Sequence, residues 1–282
     1  SSMREPINRV ICGLCPHACA LTEGQIGYCR ARANQQGTIQ PLNYGQVTSL
    51  ALDPIEKKPL RQFYPGSLIL SAGSFGCNLH CPFCQNYTIS QQGKEIPCRS
   101  MSAEELAGLA GKLSKEPPGN LGVAFTYNEP LIGWEFLLDT ARLVRADGLK
   151  VVVVTNGMIE EEPLRALLPW IDAMNIDLKA FNPAFYDWVG GSLETVKRSI
   201  RLASAACHVE VTTLVIPGKN DSEAEMAAEA QWLASVDPNI PLHISRYFPY
   251  YQSDIPATPA AVIRRLVEVA GRYLPSVYPG NL

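Results

Sequence analysis

The sequence has almost no imbalance of charge: 24 Lys and Arg against 27 Asp and Glu leave a net charge of −3. Without a basic excess there is no large positive surface for a phosphate backbone, which argues against nucleic acid as a partner. No apolar run approaches the ~18 residues that a membrane-crossing helix needs, so no membrane partner is expected. No secretory leader is visible, and Ser1-Ser2 ahead of Met3 reads as a cloning remnant. No internal repeat and no low-complexity segment stand out. Charged residues make up 18% and hydrophobic ones 46% of the 282 residues, enough for a sizeable core. That length suits one or two domains, since barrels of ~200–250 residues often fold as one. Cysteine is what the chain does have, nine in all. Their clustered spacing in a chain of this size reads as metal ligands rather than disulfides, which implies a reducing, cytoplasmic setting.

Three of them, Cys77, Cys81 and Cys84, stand at the spacing C-x3-C-x2-C directly after an apolar run that reads as a strand. Iron–sulfur clusters are held by Cys thiolates, usually four. Three thiolates leave one corner of a cubane open, as a catalytic zinc with three protein ligands keeps an open position. A structural zinc site is the alternative. With no fourth Cys or His nearby except His80, the spacing fits that less well.

A second cluster comprises Cys12, Cys15, Cys19 and Cys29, with Gly24 and Gly27 permitting tight turns. Four Cys in this span suit a closed zinc site, and they also suit a second iron–sulfur cluster. His17 could stand in for one ligand, and free thiols are a third reading, because the spacing does not identify the metal. The segment has little hydrophobic periodicity, so a metal staple would explain its folding. Residues 38–66 read as a polar connector with short extended pieces. Within it, Asp53-Pro-Ile-Glu-Lys-Lys-Pro59 is either a solvated loop or a pair of cations near the carboxylate of a cofactor or an anionic substrate. The chain thus divides into a Cys-rich segment with connector, 1–66, and a larger unit, 67–282.

From residue 67 the pattern alternates. Strand-like runs at 68–74, 121–127, 150–155, 172–178, 208–216 and 241–247 are separated by helix-like runs at 102–114, 131–146, 160–168, 192–206 and 222–235, with 259–273 last. Ser102-Ala-Glu-Glu resembles a capping box, and Asp221 or Ser222 suits another cap. Such alternation predicts a parallel α/β sheet with helical crossovers. In a barrel of this kind reactive groups gather at the C-terminal ends of the strands. Side chains alternate across a strand. Asn175, Asp177 and Lys179 therefore share one face, as do Glu210 with Thr212 and His243 with Ser245. Buried charge is costly unless paired or engaged by ligand, so these faces predict a polar cavity. The alternative is that Asp177–Lys179 and Glu210–His243 are internal structural pairs.

C-x3-C-x-aromatic-C, with Phe83 as the aromatic, resembles the signature of radical S-adenosylmethionine (SAM) enzymes. The resemblance implies a partial (β/α)6 TIM-like barrel and a 4Fe-4S cluster on Cys77, Cys81 and Cys84. It also implies reductive cleavage of SAM to a 5′-deoxyadenosyl radical that abstracts hydrogen from a substrate. Glu129, after Asn128 at the end of the second strand, resembles the residue of the family's SAM-amine motif, although both glycines of that motif are replaced. Thr155 and Asn156 resemble its ribose-side contact. Asp177-Leu-Lys179 matches the Asp-x-Lys of glycyl-radical-enzyme activases, with Lys179 facing the SAM carboxylate. Ile216-Pro-Gly218 resembles the turn near the adenine. Cys-Pro-His-x-Cys, Asp-Pro-Ile-Glu-Lys-Lys-Pro-Leu, Thr-Tyr-Asn-Glu-Pro, Asn-Ile-Asp-Leu-Lys and His-Ile-Ser-Arg together resemble the AmmeMemoRadiSam-system enzymes. Those are relatives of the pyruvate formate-lyase activating enzyme, and they run somewhat past the Val277–Asn281 motif, so a C-terminal tail is expected. The resemblance implies reduced flavodoxin or ferredoxin as electron donor. His243 and Arg246 are the candidate substrate-side residues. A glycyl-radical activase is one version of this reading, and a modifier of a small molecule or partner protein is another. From a different class, a non-catalytic iron–sulfur electron-transfer protein would have no need of Glu129, Asp177 and Lys179 around a cavity.

Overall fold

A computed structural model describes residues 8–282; the Ser1-Ser2 pair lies outside them. One eight-stranded sheet organises the chain. Its strands are Ser49–Pro54 (β1), Leu68–Gly73 (β2), Gly122–Phe125 (β3), Lys150–Thr155 (β4), Ala173–Asp177 (β5), His208–Val215 (β6), Leu242–Arg246 (β7) and Val277–Gly280 (β8). They lie in chain order across the sheet. Neighbours from β2 to β8 run parallel. β1 pairs antiparallel with β2, from Ser49↔Gly73 to Pro54↔Leu68. All six expected strands are present, and they form the expected α/β partial barrel. The chain division at 66 and 67 does not follow the sheet, because β1 comes from the connector and joins the barrel edge.

Seven helices cover the outside: Ala103–Lys115 (α1), Trp134–Ala146 (α2), Glu161–Leu167 (α3), Pro183–Val189 (α4), Leu193–Ser204 (α5), Glu223–Val236 (α6) and Ala260–Ala270 (α7). Ser102 forms the capping box of α1 with Glu105, and Ser222 rather than Asp221 caps α6. The apolar faces of the strands, such as Met174, Ile176 and Leu178, are fully buried in the main core against these helices.

The lumen is closed from below by the segment that reads as a connector loop. Ile55, Leu60 and Phe63 pack with Ile69, Ala124, Val152 and Ala173 in a separate apolar cluster. Lys58 is buried and pairs with Asp53 at 3.1 Å, and the Tyr127 hydroxyl donates to the same carboxylate at 2.5 Å. Neither reading of Asp53–Pro59 survives: the segment packs as the barrel floor, and both lysines turn to Asp53, Lys58 from a buried position and the exposed Lys57 at 3.8 Å, with neither lining the cavity. Asn175 donates to the Pro59 carbonyl at 2.8 Å. Gln62 reaches Ser276 at 2.8 Å and the Tyr278 hydroxyl at 2.9 Å, tying the floor to β8.

Candidate active site

A cavity of about 570 Å³ opens at the C-terminal ends of the strands. That volume lies within the usual range for small-molecule and cofactor sites. Cys77, Cys81 and Cys84 line one wall, on the loop that leaves β2. The loop is held from several sides. Asn128 accepts from the Ser74 N–H at 3.0 Å and donates to the Phe75 and Gly76 carbonyls at 3.0 and 3.1 Å. Gly76 has φ 88, and a Cβ there would lie 2.5 Å from the Cys29 carbonyl oxygen, so only glycine fits. Phe83 packs on Trp188 of α4 and on Tyr247 just past β7, with ring centroids 5.4 and 6.4 Å away.

The thiols are set in a partly desolvated wall. Burial pushes the Cys81 thiol up to about 11, with Lys179 opposing, and raises Cys77 and Cys84 as well. The Leu79 N–H and the Asn156 amide point at the Cys77 sulfur from 3.4 and 3.6 Å. Hydrogen bonds to sulfur and burial are levers by which a protein tunes an iron–sulfur centre. Three thiols on one wall of a cavity with room beside them fit a cluster with an open corner. Among the described residues no three Cys, His, Asp or Glu side chains are gathered closely enough to hold a metal ion as they stand, so binding at either cysteine group draws the thiols together.

Glu129, Thr155 and Asn156 meet on the neighbouring wall. The Glu129 carboxylate accepts from the Thr155 hydroxyl at 2.5 Å, the Asn156 N–H at 2.8 Å and the Leu131 N–H at 3.0 Å. Burial pushes it up to about 7 against those three donors. Its partners are protein groups, so it clamps the end of β3 to the end of β4. Lys179 faces the cysteines from just past β5 and pairs with Asp177 at 3.3 Å. Burial opposes its charge, but Asp177 and the thiols of Cys81 and Cys77 hold the ammonium above its ordinary value.

Arg246 lines the cavity from the end of β7. His243 does not. Its Nε2 lies 2.8 Å from Glu210, which also accepts from His208 at 2.8 Å and from the Arg61 and Gln62 N–H groups at 2.9–3.1 Å. The inward face of β7 is occupied by this pair near its N-terminal end, where the floor segment rises to meet it. His243 is therefore a structural partner of Glu210, and the expectation that it contacts substrate is corrected. Sequence reasoning missed Phe248, Tyr250, Asn281 and Leu282, which line the cavity mouth. The aromatic run Tyr247–Tyr251 after a strand was the available signal.

Cys12, Cys15, Cys19 and Cys29 surround a second, much smaller void of about 10 Å³. His17 is not among its lining residues. Its Nε2 engages the Asn78 carbonyl at 2.8 Å, and its ring stacks on Tyr28 at 3.9 Å, which corrects the expectation of a substitute ligand.

The pattern of the Radical SAM superfamily matches residues 73–230, more than half of the chain. An uncharacterized protein of Methanocaldococcus jannaschii is 40% identical over 281 residues, covering 98% of this chain and 82% of its own. The isethionate sulfite-lyase activating enzyme of Desulfovibrio desulfuricans is 28% identical over 116 residues, 40% of this chain and 37% of its own. Among solved structures, a domain of a pyruvate-formate lyase-activating enzyme from Bacteroides vulgatus aligns with TM-score 0.50 and 23% identity over 57% of this chain and 99% of that domain. A radical SAM methyltransferase from Sphaerobacter thermophilus aligns with TM-score 0.56 and 16% identity over 77% of this chain and 67% of its own. At these identities the structural likeness carries the fold alone. The family pattern begins at the glycine that opens the cysteine loop and runs through the strands that wall the cavity, and on that ground the chain is an enzyme that belongs to the radical SAM superfamily.

Proposed function

We propose that Cys77, Cys81 and Cys84 hold a 4Fe-4S cluster, and that SAM binds beside it and is cleaved reductively to start a hydrogen abstraction from an organic substrate. The observation that carries this is the sharing of one cavity by the three thiols and the Asp177–Lys179 pair. When bound, the cluster supplies the electron that splits SAM into methionine and the 5′-deoxyadenosyl radical. The protein's part is to bind and orient. Lys179, held charged beside Asp177, sits where it attracts the SAM carboxylate. Thr155 and Asn156, fixed by Glu129, form the wall for the nucleoside. The closed floor of Asp53, Lys58 and Tyr127 keeps water from entering from below. A low-potential donor, reduced flavodoxin or ferredoxin, supplies the electron, in keeping with a cytoplasmic setting. No helix is long and apolar enough to cross a membrane among the described residues.

The four N-terminal cysteines hold one zinc ion in this reading. Four thiols line one small void there, which is the donor set of a closed structural zinc site. The AmmeMemoRadiSam affiliation rests on the motifs quoted above. The activase version has one observation in its favour, the partial match to an activating enzyme over 40% of the chain. A glycyl-radical signal raised on a partner polypeptide by electron paramagnetic resonance separates it from a small-molecule modifier.

Anaerobic reconstitution tests the main reading. About four irons and four sulfides are expected per chain, with slow release of 5′-deoxyadenosine and methionine under a strong reductant. Cys81→Ala should lose both. Retention of cluster and cleavage in that variant overturns the assignment.

A further inference from the structure

The cavity is lined by four charged side chains, and three of them are already engaged. Asp177 and Lys179 pair at 3.3 Å, and the reading above assigns Lys179 to the SAM carboxylate. Glu129 spends its oxygens on Thr155, Asn156 and Leu131. Arg246 is the exception, since it makes no salt bridge among the described residues.

Its guanidinium is nevertheless oriented. Nε donates to the Thr258 carbonyl at 2.5 Å. Thr258 is fully buried and is itself pinned, its hydroxyl donating to the Val215 carbonyl at 2.6 Å. The guanidinium lies over the Phe248 ring, 4.8 Å from its centroid, a cation–π contact that restrains it without using a donor. Neither terminal nitrogen donates to a protein acceptor among the described residues. A planar fork anchored at its base, on a residue that lines the cavity and with both tips unspent, is the geometry that binds carboxylate or phosphate through two parallel hydrogen bonds. Beside it, Phe248 and Tyr250 are 38% and 43% exposed and also line the cavity. Exposed rings at a cavity mouth offer a face on which a flat group can lie.

We infer that the Arg246 side of the cavity is an anion subsite for the substrate, and that the substrate carries a carboxylate or phosphate on a planar body held against Phe248 and Tyr250. The inference rests on the radical-generating reading for its chemistry. Arg246 fixes one end of the substrate, and the hydrogen to be abstracted lies on the part that extends inward, toward the cysteine wall.

SAM itself carries a carboxylate, so the test must separate the two sources. The reconstituted enzyme is titrated calorimetrically with benzoate and with benzamide, its neutral isostere, first without and then with saturating SAM. Benzoate is expected to bind at least ~10-fold more tightly than benzamide, and to keep that preference when SAM is saturating. Arg246→Gln should abolish the preference, and Arg246→Lys should keep part of it, since an ammonium is a point charge without the fork. Equal binding of the two probes overturns the inference, as does an undiminished preference in Arg246→Gln. Loss of benzoate binding once SAM is present assigns Arg246 to the SAM carboxylate, and that also overturns it. The generator is read separately. If the wild-type enzyme releases no 5′-deoxyadenosine on reduction, the radical reading fails whatever the probes show.

Discussion

The Cys77 amide donates to the Cys29 carbonyl at 3.2 Å, so one residue of each cysteine cluster meets across the backbone. The Asn78 carbonyl takes the His17 ring nitrogen at 2.8 Å. His17 and Tyr28 of the N-terminal segment and His80 of the cysteine loop stack in that order, with centroids 3.9 Å apart at each step. The N-terminal segment is a buttress for the loop that carries Cys77, Cys81 and Cys84.

The zinc reading makes that buttress metal-dependent, because a site of this kind contributes folding energy to the segment it closes. Cys12→Ser with Cys15→Ser should remove one zinc per chain by elemental analysis. The same variant should lose its iron to a chelator several-fold faster than wild type. Iron retention unchanged after loss of the zinc would show that the two sites are independent. A residual iron–sulfur spectrum from a Cys77, Cys81 and Cys84 triple variant would replace zinc with a second cluster.

Glu129→Ala strands the Thr155 hydroxyl and two N–H groups in a buried wall. Each unsatisfied buried group is worth about 1–3 kcal/mol, so a clear fall in thermal stability is expected. SAM affinity should drop by about tenfold or more while iron content holds. Lys179→Ala should weaken SAM similarly by leaving Asp177 alone. Unchanged SAM affinity in both, by equilibrium binding, removes these residues from the SAM site.

The six parallel strands were legible as short apolar runs set between helix-like runs and turn signals, with Val151–Val154 unbroken and Ala173–Asp177 mixing in polar residues. Asp177 and Lys179 were placed in the cavity by strand parity alone. Parity says which face a side chain takes, not how deep in the barrel it sits, and that is why His243 was misplaced. Depth depends on the floor segment, and the floor is irregular: Ile55, Leu60 and Phe63 have no period, and Lys58 looks like a surface residue until Asp53 and Tyr127 are beside it. α4 was missed because seven residues rich in aromatics, capped by Asn182 and ended at Gly190 with φ 78, show no helical repeat. β1 and β8 are edge strands whose pairing is fixed by the sheet rather than by local pattern.

Glu210 gives the chain an acid-sensitive floor. Burial works against its charge, but His208, His243 and the Arg61 and Gln62 N–H groups outweigh it and hold the carboxyl down to about 2, against an ordinary 4.5. A depressed carboxylate contributes stability that is complete above its unfolded value and lost as pH falls through the folded one. Stability should therefore decline between pH 4.5 and 2, by up to about 3 kcal/mol from this group. Glu210→Gln should be less stable at neutral pH and should flatten that acid limb in denaturant titrations. An acid limb identical to wild type would mean that the floor is held by other contacts.

Glu229 works in the opposite direction. It lies on the buried face of α6, and burial pushes its carboxyl up to about 8. The hydrogen bonds are compatible with the same protonation state. The Thr213 hydroxyl has one proton, which the Leu178 carbonyl takes at 2.7 Å. The contact between Thr213 and Glu229 at 3.0 Å is therefore satisfied when Glu229 keeps its proton and donates. In the unfolded chain that proton leaves near 4.5, while the folded chain holds it to about 8. Stability from this group is complete below 4.5 and falls as pH rises toward 8. Glu229→Gln keeps a donor facing Thr213 and cannot ionise. It should match wild type near pH 4.5 and exceed it at pH 8 by a few kcal/mol, at about 1.4 kcal/mol per pKa unit. Leu178 precedes Lys179, so SAM affinity of the wild-type enzyme should also weaken above pH 8, and the variant should resist that loss. Parallel stability curves for the two proteins from pH 5 to 9 would show that Glu229 is already ionised in the folded chain, and the hydrogen-bond assignment at Thr213 would have to be reversed.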